Sequence, residues 1–248
     1  MNRYEIPENR FLNFYHFEVT TSTMDECENL IKSGVRSGIV LADSQTSGRG
    51  RNAKKWVSVA NGNIYLSFFD EIDPENPINL IPQRCAVAAF SAVSQFVKNA
   101  EVKIKWPNDI FVGMKKVSGI IAKTILFEGK RFYICGIGIN VFPPDENGQK
   151  FVWEPTAVSE YCEVSTEEVL NALIKGADFA FSAGSAEIID TYKHNINWML
   201  ERKIVFSQDL VHNEKGKIIG FSDDFSVVKI KTENGIEELS ALSILSLN

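Results

Sequence analysis

Residues 117–127 and 131–141 are two β-rich runs separated by Glu128-Gly129-Lys130, and this pair constrains the fold more than anything else in the chain. Long extended runs joined by so short a turn pair as an antiparallel hairpin. The second arm ends in Gly136-Ile137-Gly138-Ile139-Asn140. Other strands are predicted at Ile39–Ala42, Asn63–Phe69 and the alternating Val102-Lys103-Ile104-Lys105-Trp106, which Pro107-Asn108-Asp109 interrupts with turn chemistry. Helices are predicted over 22–33, where Ser22 or Thr23 caps an apolar face of Met24, Cys27, Leu30 and Ile31, and over 85–97, where Val87, Phe90, Val93, Phe96 and Val97 recur at helical spacing. Two more are predicted over 165–181, opened by a Ser165/Glu168 capping box, and over 185–200. The pattern is an α+β fold, a mixed or antiparallel sheet with packed helices.

After Met199 the chain turns to short strands at Ile204–Phe206, Ile218–Phe221, Val227–Ile230 and Ile236–Leu239, with Asn234-Gly235 as a hairpin turn. A boundary near 200 divides a larger domain, 1–200, from a small β-barrel, 201–248. So short a segment is marginal alone, so it should pack on the larger domain.

A chain of 248 residues that is 44% hydrophobic is long enough for one large core, with or without an appendage. Its formal net charge of -6 argues against binding to duplex nucleic acid, which asks for a basic face. Cys27, Cys85, Cys135 and Cys162 include no C-x-x-C pair, which fits reduced cytoplasmic thiols better than a disulfide framework or a zinc site. No apolar run approaches the ~18 residues that span a bilayer. The N-terminus carries Arg3, Glu5, Glu8 and Arg10 where a signal segment would be apolar, so a soluble cytoplasmic protein is expected.

Against that acidic background, Gln45-Thr46-Ser47-Gly48-Arg49-Gly50-Arg51 stands out, followed by Lys54, Lys55 and Trp56. The glycines let the backbone approach a ligand, and each arginine offers a planar charged fork to a carboxylate or phosphate. The loop lies between two predicted strands and suits a small anion. Two other constellations carry polar groups: Lys105-Trp106-Pro107-Asn108-Asp109 with Lys116 after it, and Gly136 to Asn140. Singly, each is as readily a solvated turn, a bulge or a site of close packing.

Together they resemble the catalytic domain of the biotin-protein ligases. The resemblance runs from about Ser22 to the C-terminus. It rests on Ser22-Thr23, on Gln45 ahead of GRGR at 48–51, on Trp56, on Gly62-Asn63-Ile64-Tyr65-Leu66-Ser67, on KWPND at 105–109, on Lys116-Val117-Ser118-Gly119-Ile120 and on GIGIN at 136–140. Several motifs in order weigh far more than any one of them.

The resemblance implies that Ser22, Thr23, Met24, Gln45, Gly48, Arg49, Gly50, Arg51, Lys116 and Gly119 bind biotin, with hydroxyls and an amide suited to its ureido head. It implies that Arg49, Arg51, Trp56, Lys105, Asn108, Asp109 and Asn140 bind ATP, that Asp109 and Asn140 hold magnesium, and that Lys116 and Arg51 are catalytic. Biotin carboxylate would attack the α-phosphate of ATP, and a lysine of a biotin carboxyl carrier protein of a biotin-dependent carboxylase would take the biotinyl group from the adenylate. An edge strand of the main sheet suits strand addition by that carrier or a homodimer. Many members continue GRGR with Arg-Gly-Arg where this chain has Asn52-Ala53-Lys54, a departure that bears on loop mobility. Some carry an N-terminal winged-helix domain; the roughly twenty residues before Ser22 are too few for one, so DNA-binding repressor activity is not expected.

Two rivals remain. Lipoate ligases and octanoyl transferases share the superfamily fold; the Arg-Arg-x-x-Gly-Gly signature of the former is missing, and Cys135 is the one tempting nucleophile for the latter. A non-catalytic biotin-responsive binder would not need Arg51, Asp109 and Lys116. His16, His194 and His212 fall outside the matched motifs.

Overall fold

The computed structural model describes residues 6–11, 13–50, 56, 58, 60, 62–72, 75, 80–144, 151–207, 212–239 and 243–247. The elements run β1 (Phe14–Thr20), α1 (Thr23–Lys32), β2 (Ser37–Gln45), β3 (Ile64–Glu71), α2 (Ile81–Phe96), β4 (Val102–Lys105), β5 (Asp109–Val112), β6 (Lys115–Phe127), β7 (Lys130–Ile139), α3 (Thr166–Ser182) and α4 (Ser185–Ile196). Five strands follow: β8 (Lys203–Ser207), β9 (Glu214–Phe221), β10 (Val228–Thr232), β11 (Gly235–Leu239) and β12 (Ser243–Leu247).

The hairpin that anchors the fold is β6–β7, paired residue for residue from Ser118↔Ile139 to Phe127↔Lys130. Its turn holds Glu128 and Gly129 at φ 49° and 76°, the two left-handed positions a two-residue hairpin loop requires. Around it the main sheet is ordered β1-β2-β3-β7-β6-β5-β4, antiparallel except for the parallel pair β1–β2. It is the mixed sheet that the α+β pattern predicts.

One face of the sheet packs on α2 and α3, with Ile39, Leu41, Leu66, Phe68, Cys135 and Ile137 meeting Cys85, Ala89 and Val93 in a single large cluster. The helices approach closely because Gly176 of α3 lies where a Cβ would stand 2.9 Å from the Ala88 carbonyl oxygen. The other face carries a smaller cluster under α1, formed by Met24, Cys27 and Ile31 against Val40, Phe69 and Ile134. The second sheet, ordered β11-β10-β9-β8-β12, is antiparallel throughout, and its Ile204, Phe206, Ile218 and Val228 belong to the large cluster. The small C-terminal strands therefore share a core with the main body, as their length demands. Among the described residues no helix is long and apolar enough to cross a membrane.

The capping box holds: Ser165 N–H donates to Glu168 at 2.8 Å, and Glu168 N–H to the Ser165 hydroxyl at 3.3 Å. The sequence pattern passes over three strands. β1 is an edge strand with mixed burial, so its residues lack the alternation of a half-buried strand. β5 begins at Asp109, inside what reads as a turn, and is fully buried. β12 is the terminal edge of the small sheet. One expectation is corrected: Cys85 and Cys135, 50 residues apart, are joined as a disulfide and are not free thiols. The helix face bearing one packs on the strand face bearing the other, a juxtaposition invisible to sequence spacing.

Candidate active site

Four strands set one row of residues across the sheet: Tyr65 of β3 faces Gly138 of β7, which faces Gly119 of β6, which faces Asp109 of β5. The middle of this row has no side chains, so the sheet carries a trough there. The Trp56 indole lies in it. A Cβ on Gly138 would stand 2.5 Å from the ring and one on Gly119 would stand 2.7 Å away. The indole nitrogen of Trp56 is buried with no hydrogen-bond partner among the described residues. A flat bicyclic group therefore fits the floor, and the polar edge of the one now resting there is unspent.

The head of the trough is built by the N-terminus of α1 and the end of β2. Thr23 N–H and hydroxyl reach the Gln45 side-chain oxygen at 2.9 and 3.2 Å, and the Thr23 hydroxyl bonds Ser67 of β3 at 2.7 Å. Ser22, the buried N-cap, uses its carbonyl for the first helical bonds and makes no side-chain cap, so its hydroxyl is not consumed by the helix. Met24 packs where a Cβ of Gly136 would otherwise stand, 3.2 Å from its Cγ and Sδ. Ser58 accepts from Gln45 N–H at 3.0 Å, tying the strand end to the returning loop.

The loop closes on itself at its base: Trp56 N–H donates to the Gly48 carbonyl at 3.0 Å, and a Cβ on Gly48 would fall 2.6 Å from the Trp56 carbonyl oxygen. Arg49 bonds Asp25 in the first turn of α1 at 2.6 Å, and Gly50 is half-buried beside it. Arg51, on which a catalytic role is expected, lies outside the described residues, as do Asn52 to Lys55.

The far end of the trough is charged. Asp109 is bonded by Lys116 at 2.6 Å and lies 3.5 Å from Lys105. Burial pushes its carboxyl up, but Lys116 and then Lys105 outweigh burial and hold it below the usual carboxylate range. The two lysines differ in access: the Lys105 side chain is 4% exposed, with its ammonium 5.1 Å from the Trp153 ring and 5.8 Å from that of Phe111, whereas Lys116 is 26% exposed and lies 5.3 Å from the Trp56 ring. Only Lys116 has the freedom to follow a ligand.

Its aim depends on a β-bulge. Lys116 and Gly119 are three residues apart, which on a regular strand puts them on opposite faces. The register with β5 slips there, from Ile110↔Ser118 to Phe111↔Lys116, and this extra residue returns Lys116 to the trough face.

Asn108 and Asn140 serve the frame. Asn108 donates to the Ile120 carbonyl at 2.5 Å and its own carbonyl accepts from Ile120 N–H. Asn140 donates to the Thr156 carbonyl at 3.1 Å, beside the segment that pairs with Lys116 through Glu154 and Thr156. That segment carries Trp153, which the sequence reading misses because a lone Trp has no spacing to mark it. Among the described residues no three His, Cys, Asp or Glu side chains gather to hold a metal.

The sequence model of the Biotin/lipoate A/B protein ligase family matches residues 16–140. The bifunctional ligase/repressor BirA of Bacillus subtilis is 36% identical over 131 residues, which make up 51% of this chain and 39% of that protein. The biotin--[acetyl-CoA-carboxylase] ligase of Mycobacterium tuberculosis is 30% identical over 107 residues, 42% of this chain and 39% of that one. The chain thus spans only about two-fifths of the length of these relatives. The structure of the biotin protein ligase of Aquifex aeolicus in complex with biotin and ATP superposes with a TM-score of 0.70 at 27% identity, covering 94% of this chain and 99% of that chain. The Leishmania major biotin protein ligase in complex with biotinyl-5-AMP, at 22% identity, shares the fold with a TM-score of 0.63, covering 92% of this chain and 99% of its own. With the family model matched across half its length, this chain belongs to the biotin/lipoate A/B protein ligase family.

Proposed function

We propose that this chain is a biotin--protein ligase: it condenses biotin with ATP to biotinyl-5'-adenylate and pyrophosphate, then passes the biotinyl group to a lysine of a biotin carboxyl carrier protein. The observation that carries the reading is the glycine-floored trough ending at Lys116 and Asp109. A bicyclic ligand with a carboxylate tail matches it, with the rings over Gly119 and Gly138 and the tail toward Lys116, the more exposed of the two lysines beside Asp109. Thr23 and Gln45, fixed by each other and by Ser67, offer hydroxyl and amide groups to a ureido head.

In the first step a carboxylate oxygen attacks the α-phosphorus and the bond to pyrophosphate breaks. Two anions must meet, so fixed positive charge is required, and Lys116 supplies it where the tail ends. Asp109 holds that ammonium in place, and Lys105 balances Asp109 from beneath. In the second step the carrier amine attacks the anhydride carbonyl, the carbon–oxygen bond breaks and AMP leaves with the electron pair. Magnesium commonly enters on one or two carboxylates together with phosphates, and Asp109 is the carboxylate at this end to receive it, where it would offset phosphate charge. Trp56, tied to Gly48 through a backbone bond, would cover the mixed anhydride against water.

The carrier is proposed to dock along β6. That strand pairs with β5 only from Lys115 to Gly119, so Ile121–Phe127 offers a second edge that no described strand occupies. Extended segments add to such edges through backbone bonds. Acyl transfer through a cysteine has less support: Cys135 points into the core and is paired with Cys85, and burial pushes the thiols of Cys27 and Cys162 up, away from the reactive thiolate.

Native mass spectrometry of protein incubated with ATP, magnesium and equal amounts of biotin, lipoate and octanoate tests the reading. The expected species is a complex with biotinyl-adenylate. A lipoyl or octanoyl adduct would move the chain to the sister activity, and biotin alone would leave a binder.

A further inference from the structure

The five-stranded C-terminal sheet shares the large core cluster with the body, and its 222–227 turn grips the segment leading into Asp109. Residues 222–227 form a tip bonded to itself: Ser222 N–H to the Val227 carbonyl at 2.9 Å, Phe225 N–H to the Ser222 carbonyl at 2.9 Å, and Asp224 accepting from the Ser222 hydroxyl at 2.7 Å and from Ser226 N–H at 3.1 Å. Phe225 sits at its apex with φ 57°, a left-handed conformation that a bulky residue adopts only when its surroundings hold it there. This conformation presents its carbonyl to the buried Trp106 indole N–H, which donates at 2.8 Å. Gln83 of α2 donates to the Asp224 carbonyl at 3.0 Å. The Phe225 ring stands 5.0 Å from that of Tyr192, whose hydroxyl in turn donates to the Pro107 carbonyl at 3.1 Å.

Trp106 is thus held from one side by the small sheet, and Pro107 by Tyr192 of α4, against which Phe225 packs. The next residue, Asn108, is held from the other side by both bonds to Ile120 of β6. Asp109 follows directly, against Lys116. A turn that served only to cover apolar surface would not place a carbonyl on the indole N–H of the residue three before the site carboxylate.

We propose that the 222–226 turn, through Phe225 and Trp106, is a positioning element that fixes Asp109 and hence the Lys116 ammonium for the adenylating step. Phe225 and Trp106 are positioning residues and touch no substrate. The inference rests on the ligase reading above for its kinetic arm, and its second readout is independent of that reading.

The test uses the full chain. Trp106→Phe deletes the donor and keeps most of the ring; Phe225→Ala deletes the plug; Phe225→Leu restores an apolar plug; Gln83→Ala removes one tie if either larger change unfolds the protein. Adenylate formation is measured at saturating and limiting ATP and biotin, and amide exchange is measured at Ile120, whose N–H is bonded to the Asn108 carbonyl. The expected result is a roughly tenfold lower kcat in Trp106→Phe, with KM for biotin unchanged, partial recovery in Phe225→Leu relative to Phe225→Ala, and faster exchange at Ile120, since removing one buried partner of a hydrogen bond costs on the order of a factor of ten. Wild-type kcat and exchange in folded Trp106→Phe or Gln83→Ala, with only the melting temperature lowered, would overturn the proposal. If the wild-type chain forms no adenylate, the ligase reading fails, and faster Ile120 exchange in the variants still upholds the positioning link while unchanged exchange removes it.

Discussion

The middle and the far end of the trough are built by opposite means. At the middle the sheet gives way: Gly119 and Gly138 leave room for a flat ring. At the far end Lys105 and Asp109 supply nearly dry charge, and the more exposed Lys116 is held against them. Changes to the floor should therefore act on binding with little effect on folding, whereas changes to the charged end should be felt in both stability and rate.

The largest effect is expected from Asp109→Asn, which strands two ammonium groups around a buried amide. Breaking a buried pair from one side costs about 3–5 kcal/mol, so urea unfolding should show a loss of that order. The carboxyl is depressed in the folded state, so its contribution is present above the unfolded pKa of about 3.9 and is lost as pH falls through the lower folded value. Wild-type stability should accordingly drop more steeply than that of the variant below about pH 4. Parallel curves would mean that the charged end is solvated.

Next in size is Lys116→Ala, expected to slow adenylate formation by about 10²–10³-fold, as loss of one preorganised charge does elsewhere. Stopped-flow release of pyrophosphate reads this directly, and a rate within threefold of wild type would remove Lys116 from the chemistry. Gly138→Ala should weaken biotin binding about 10–200-fold, the range for one methyl-sized misfit in a pocket, with the melting temperature near wild type. Calorimetry distinguishes this from a folding defect, and unimpaired affinity would break the comparison at its apolar end. The smallest effect belongs to Arg49→Ala: its pair with Asp25 is half-exposed, so no more than about 1 kcal/mol of stability is at stake.

The sequence made the hairpin, the capping box, the helices and the glycine-bearing segments legible because each is a local pattern. It gave most weight to the glycines of the 48–50 loop, where arginines sit beside them. The structure gives equal weight to Gly119 and Gly138, whose role appears only when register sets them side by side on neighbouring strands. Trp153, the Cys85–Cys135 pair and the grip of Phe225 on Trp106 were illegible for the same reason: each joins segments tens of residues apart. Asp109 was found as a residue but misread as part of a turn, because Pro107-Asn108 ahead of it hides the start of a buried strand.

The bulge beside Lys116 means that the lysine's address in this protein is a matter of counting. Strand faces alternate, so odd and even positions lead to different compartments, and one surplus residue in β6, opposite the step from Ile110 to Phe111 of β5, changes the parity for everything upstream of it. Were β6 regular through Val117, with no residue removed, every motif would still be readable in the sequence and yet the ammonium would point toward the apolar side of the sheet. A search for relatives by motif would accept such a chain, because the three-residue step from lysine to glycine serves the site only where the strand is bulged.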